Sequence, residues 1–154
     1  METATRSASR LADDFKTAFA STMSPDAMQR TLDILSRITA PQLMATSALP
    51  ANGSLASLLL YVKAQCNING GKSFNGSAWG ISFPGGGALF GDVYLADGVS
   101  VNDLYAKTGS FKFTATPVYT AFYFYDASDN LLGHFQAGSV STVTGVGGGA
   151  GGWS

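Results

Sequence analysis

Leu131-Leu132-Gly133-His134-Phe135-Gln136-Ala137-Gly138-Ser139-Val140-Ser141-Thr142-Val143-Thr144-Gly145-Val146-Gly147-Gly148-Gly149-Ala150-Gly151-Gly152-Trp153 decides how the chain reads as a fold. It reads as two β-strands, the last of the chain, followed by a glycine run that a single tryptophan closes. Glycine is a poor strand former in isolation, because it has no side chain to pack and loses the most backbone freedom. Inside a strand it marks a place where another backbone approaches closely.

Working outward, glycine divides the chain. All 19 glycines lie at or after Gly53, all four arginines lie before residue 40, and only Phe15 and Phe19 of the aromatics precede Tyr61. The shift places a boundary near Pro50-Ala51-Asn52-Gly53, which reads as a turn. It predicts two units, residues 1–50 and residues 51–154.

The second unit reads as all-β. Residues 55–68 form a long first strand or a bent pair, and residues 72–83 follow. Pro84-Gly85-Gly86-Gly87 reads as a turn. In residues 88–95, Leu89, Gly91, Val93 and Leu95 alternate with Phe90, Asp92 and Tyr94. Residues 100–107 predict a short helix with Ser100 as its cap and Asp103 at the third helical position. Phe111, Phe113 and Ala115 alternate again. In residues 119–125, Ala121, Tyr123 and Tyr125 oppose Phe122 and Phe124, so both faces are apolar or aromatic. Residues 126–130 predict a hairpin loop. Seven or eight short strands between turns indicate a sandwich or a closed barrel, and glycines inside the strands favour the barrel.

The first unit reads as helical. Leu11, Phe15, Ala18 and Phe19 make one apolar stripe. Ser24-Pro25-Asp26 starts a second helix, with a cap, a proline at the first position and an acid near the positive end of the dipole. Met28, Leu32, Leu35 and Ile38 make its apolar stripe. Two readings follow for this extension: a hairpin that packs on the barrel or on itself, or an adaptor for a partner or membrane surface. Its polar face carries Asp13, Asp14, Asp26 and Asp33 beside its bases, whereas membrane-surface helices are usually rich in Lys and Arg.

Composition excludes several functions. Of the 154 residues 45% are hydrophobic, enough for a core; charged residues are 12% and the formal net charge is -1. A nucleic-acid partner calls for a basic surface that this balance does not provide. The one cysteine, Cys66, cannot form an internal disulfide. Residues 1–10 lack the apolar stretch of a secretory signal, and the apolar run at residues 58–62 is too short to span a bilayer. The chain reads as soluble, and cytoplasmic unless exported by another route.

Motifs for chemistry are sparse. Asn69-Gly70-Gly71-Lys72-Ser73 mimics the end of a P-loop, but Cys66 occupies the position of the required first glycine and a strand follows. Gly147, Gly149 and Gly152 match G-x-G-x-x-G, with too little chain behind them for a helix to hold a pyrophosphate. The better reading is a tail close against the barrel, pinned by Trp153; a flexible tail is the alternative. No nucleotide and no cofactor are expected. His134 is the single histidine and, with Cys66, falls short of a usual zinc site. It alternates onto the face of Leu132 and Gln136, and the favoured reading is a hydrogen-bonded structural residue. A hydrolase reading would join it to Ser139 or Ser141 and Asp126, or to Cys66. Of the aspartates, Asp97, Asp103, Asp126 and Asp129 fall at turns or a helix start, whereas Asp92 sits mid-strand. Asn52-Gly53-Ser54 and Asn75-Gly76-Ser77 fit the glycosylation pattern, which matters only on a eukaryotic secretory route. Tyr119, Phe122, Tyr123, Phe124 and Tyr125 read as core and barrel wall.

An ordered series of segments resembles the virulence-associated proteins (Vap) of pathogenic actinobacteria over about residues 55–154. It comprises Gly86-Gly87-Ala88-Leu89-Phe90-Gly91, Asp103-Leu104-Tyr105, Phe124-Tyr125-Asp126, Leu132-Gly133-His134-Phe135-Gln136-Ala137-Gly138 and Val143-Thr144-Gly145-Val146-Gly147-Gly148-Gly149. The resemblance implies a closed antiparallel eight-stranded β-barrel of two similar four-strand halves, with a short helix over one end. It implies a secreted, non-enzymatic effector that acts on host cells, with endolysosomal trafficking altered by some members and membrane-lipid interaction proposed for some. It carries no catalytic, cofactor or metal residues. The family's signal peptide and polar arm have no counterpart in residues 1–50, whose helices are the expected site of partner binding, self-association or delivery. A lipid or small-ligand binding module is the alternative.

Overall fold

The computed structural model describes residue 16 and residues 24–36, 49–58, 61–82, 85–116, 119–141 and 145–154. In chain order its elements are α1 (Pro25–Ser36), β1 (Leu49–Leu58), β2 (Tyr61–Ile68), β3 (Ser73–Ser82), β4 (Gly85–Leu95), α2 (Val101–Lys107), β5 (Ser110–Ala115), β6 (Tyr119–Tyr125), β7 (Leu131–Ser141) and β8 (Gly145–Trp153). The eight strands close into one antiparallel barrel in the order β1-β2-β3-β8-β5-β6-β7-β4. Each half repeats the same order, its fourth strand beside its first, then its second and third. That is the Greek-key order. Closure leaves no strand edge exposed.

Alternation fills the interior. Phe74, Phe111, Phe113, Phe122, Phe124 and Phe135 are buried there with Leu55, Val62, Leu89 and Val93. Phe74 meets Phe124 and Phe111 edge-on at 4.9 and 5.2 Å between ring centroids, and Phe122 meets Phe111 at 6.1 Å. Buried aromatic side chains of this size contribute about 2–3 kcal/mol each through area alone, and edge-on pairing suits the charge distribution of the rings. The barrel is therefore a packed core.

The glycine run is itself a strand. β8 lies between β3 and β5, and Gly149 faces inward between Ala78 and Phe111. A Cβ on Gly149 would run into the Ser77 carbonyl. Gly76 and Gly151 pair across β3 and β8, and a Cβ on either would strike the Phe74 ring. The glycines are the floor on which the large rings lie. Ser73 and Ser154 exchange backbone hydrogen bonds at 3.0 and 2.9 Å, so the strand is tied down to its end. The expected close approach is right, and the flexible tail is not.

Three local expectations change. Residues 50–53 are not a turn: β1 starts at Leu49, and Pro50 to Gly53 pair with β4. Gly85, Gly86 and Gly87 are not a turn either but the start of β4, opposite Ser57, Ala56 and Leu55. In both places the ladder of backbone bonds overrides local turn preference. Leu132 does not share a face with His134. The β6–β7 register slips between Phe124 and Tyr125, so Leu132 joins the core and His134 points outward.

α2 forms as its sequence dictates. Ser100 accepts from the Asp103 N–H at 3.1 Å, and Asp103 accepts from the Ser100 N–H at 3.1 Å. The helix covers one end of the barrel, with Leu104 buried and Tyr105 against Trp153 at 5.4 Å. The second predicted helix of the N-terminal unit is α1. Its expected partner, with the stripe from Leu11 to Phe19, lies outside the described residues apart from helical Lys16. No described helix is long and apolar enough to cross a membrane.

Candidate functional site

The outward face of β4, β7 and β6 is buried around His134, Tyr123 and Tyr125, unlike at Phe90 further along β4. Period-two geometry sends Val93, Phe135 and Phe122 inward, so their neighbours Tyr94, His134 and Tyr123 point away from the core. These three stand side by side in register across the three strands. Tyr123 and Tyr125 are fully buried, and His134 is 1% exposed. None of them belongs to the core cluster. α1 is the described helix that lies against this face. Thr31 is buried, and its hydroxyl lies 3.1 Å from the Tyr125 hydroxyl. Arg30 donates to the Ser128 carbonyl in the β6–β7 loop at 3.3 Å.

His134 is the centre of the patch. Its ring stacks on Tyr94 at 5.3 Å and tilts against Tyr123 at 6.3 Å. The Gln136 amide sits 2.9 Å from Nδ1. With that amide as donor, the imidazole is neutral with its proton on Nε2. Nε2 has no hydrogen-bond partner and is buried. Burial lowers the His134 pKa from its ordinary value to about 3, since a charged imidazolium loses its hydration there. Burial, then the Asp92 charge, push the Tyr94 hydroxyl up. Asp92 is half-buried on the same face, opposite Gln136. Lys112 lies 5.0 Å from the Tyr125 ring centre and is held below the usual lysine range by burial.

The sequence candidates do not assemble into one centre. Cys66 lies inside the barrel opposite Phe74, with its thiol pushed up by burial, while His134 lies outside on another strand. The barrel wall separates them. Asp126 accepts from the N–H groups of Ser128 and Asn130 at 2.8 and 2.9 Å, as a turn aspartate does. Asp103 caps α2. Gly147, Gly149 and Gly152 lie within β8. Asn52 and Asn75 belong to an outer ladder of amides and hydroxyls, in which Asn67 donates to Asn52 and Gln65 to Asn75. Among the described residues no group of three or more His, Cys, Asp or Glu could hold a metal ion. Gln136, expected on the face of His134, is there; sequence reading missed Thr31 and Tyr94 as members of the same patch. The signal was β6, apolar on both faces, because a two-sided strand needs cover on its outside.

The geometry defines a class: a filled Greek-key barrel carrying a buried aromatic–histidine patch on its wall, with an N-terminal helix laid against it. The family described as Rhodococcus equi virulence-associated protein matches residues 2–154, and the chain belongs to it. Among solved structures, the virulence-associated protein VapD of the intracellular pathogen Rhodococcus equi is similar at 29% identity and a TM-score of 0.66, over 70% of this chain and 97% of that one. VapB of the same organism is similar at 36% identity and a TM-score of 0.64, over 70% of this chain and 96% of that one. No curated protein matches the chain by sequence. The family is one of virulence-associated barrels and not a known enzyme family.

Proposed function

We propose that this chain is an exported, non-catalytic virulence-associated barrel that acts by binding, with its N-terminal segment taking part in recognition, self-association or delivery. The observation that carries the reading is family membership over residues 2–154 combined with an interior occupied by phenylalanine rings. A packed interior directs recognition to the outer wall and the N-terminal segment. The outer wall supplies an exposed aromatic, Phe90, at 64% exposure.

The test has two parts. Fractionation of the native organism places the full chain in the culture supernatant or at the cell surface; confinement to the cytosol removes the export reading. Cross-linking of the full chain to host-cell extracts, compared with a Phe90→Ser variant, then recovers a partner. A lipid-binding reading is separated by flotation of the full chain with phosphatidylcholine vesicles, with and without an anionic lipid. Co-flotation supports it, and absence from both floated fractions removes it.

A further inference from the structure

We infer that the outer wall around Phe90 is a binding site for a neutral carbohydrate, with the Phe90 ring as the platform and the Asn52 and Asn67 amides as polar contacts. The inference rests on the reading that this chain acts by binding, and it names the ligand class.

Three observations carry it. First, among the described residues Phe90 is the large apolar side chain that stands exposed, at 64%. Second, the ladder pairs set it in one outward row: Asn67, Asn52, Phe90, Gly138 and Tyr119, on β2, β1, β4, β7 and β6 in turn. Neighbours in such a row lie about 5 Å apart. Gly138 is exposed, and a Cβ there would meet nothing within 4 Å, so the ring has an open floor on its β7 side. Third, a relay of amides lies on its β1 side. Asn67 donates to Asn52 at 3.1 Å, and Asn52 donates to Asn69 at 3.4 Å. Asn52 and Asn69 are exposed and Asn67 is half-buried. A side-chain amide has two N–H donors and an oxygen with two lone pairs. Asn52 commits one of each to its neighbours and keeps one of each for a ligand.

The chemistry of a sugar fits this row. A pyranose has an apolar face of C–H groups, which lies well against the negative face of an aromatic ring. Its rim carries hydroxyls, each both donor and acceptor, and an amide answers both roles. The row consists of Asn, Phe, Gly and Tyr and carries no charge, whereas phosphates and carboxylates are recognised by Arg or Lys. A purely apolar ligand fits less well, because it would cover exposed amides without pairing them.

The experiment titrates lactose, mannobiose, chitobiose and cellobiose, one at a time and at millimolar concentration, into the isotope-labelled full-length protein. Two-dimensional NMR follows the side-chain amides of Asn52, Asn67 and Asn69, and saturation of the aromatic protons reports transfer to sugar C–H groups. At least one disaccharide is expected to shift the amide signals and to receive saturation. Phe90→Ser removes the platform, and Gly138→Gln fills the open floor; each should weaken that binding about tenfold. Gly109→Gln, just before β5 and also where a Cβ meets nothing within 4 Å, should leave it unchanged. The proposal is overturned if none of the four sugars shifts those signals, if Phe90→Ser or Gly138→Gln binds as wild type does, or if Gly109→Gln weakens binding as much as they do. Recovery of a Phe90-dependent protein partner beside a blank titration sinks the carbohydrate and spares the binding reading.

Discussion

Lowering the pH from 7 to 5 should cost the covered form of this protein about 2 kcal/mol through His134 alone. In the native patch its pKa is about 3, against 6.5 when solvated. Between these values the states in which His134 meets water bind a proton that the covered state does not. Stability therefore rises with pH through this window and is lost as pH falls below 6.5. A group displaced this far contributes about 1.4 kcal/mol per pH unit, and pH 5 lies about 1.5 units into the window. The equilibrium constant changes about thirtyfold. The assay is urea unfolding at pH 7, 6 and 5, followed by tyrosine fluorescence and far-ultraviolet circular dichroism, for wild type and His134→Gln. Loss of the ring stacking sets a lower baseline for the variant, but the pH dependence is read within each protein. Asp103 and Asp126, both held below the usual carboxylate value of 3.8, contribute stability that is complete above that value and is lost as pH falls below it. They leave the chosen window clear. Parallel pH dependence in the two proteins, or a folded-state His134 titrating near 6.5, would refute the reasoning.

Other expectations concern the barrel. Gly149→Ala should destabilise by about 2 kcal/mol or more, because the added Cβ meets the Ser77 carbonyl, whereas Gly152→Ala, with nothing within 4 Å, should stay within about 0.5 kcal/mol by thermal melting. Phe122→Ala removes a buried ring that touches Phe111 and Phe135 and should cost about 3–5 kcal/mol in urea unfolding. Ser100→Ala removes the side-chain acceptor at the start of α2 and should cost about 1 kcal/mol, seen as faster hydrogen exchange at Asp103.

Much of the architecture was legible because its signals are local. Alternation in residues 88–95 and 111–115 separates Leu89, Val93, Phe111 and Phe113 from their outward neighbours, as found. The Ser100–Asp103 box needs only four residues, and the Asp126 loop five. The resemblance correctly implied the closed eight-stranded barrel and its two halves. The site was legible only in outline. β6 advertised two buried faces, but not what would cover the outer one. Of the expected stripe of Met28, Leu32, Leu35 and Ile38, Met28 and Leu32 are half-buried, and Thr31, outside that stripe, is buried.

What the sequence determined by itself was which residues could be strands, caps and core, since period and capping act over a few residues. The tertiary structure decided the rest. Turn-like Pro50–Gly53 and Gly85–Gly87 became strand because a full ladder of partners outweighs local preference. A β-bulge sent Leu132 inward, off the face that alternation alone had it share with His134 and Gln136. Gly145–Trp153, poor in strand-forming side chains, became β8 because its neighbours need its emptiness: the Ser77 carbonyl and the Phe74 ring occupy the space side chains would fill. Those neighbours are more than sixty residues away in the chain, and only closure of the barrel brings them together.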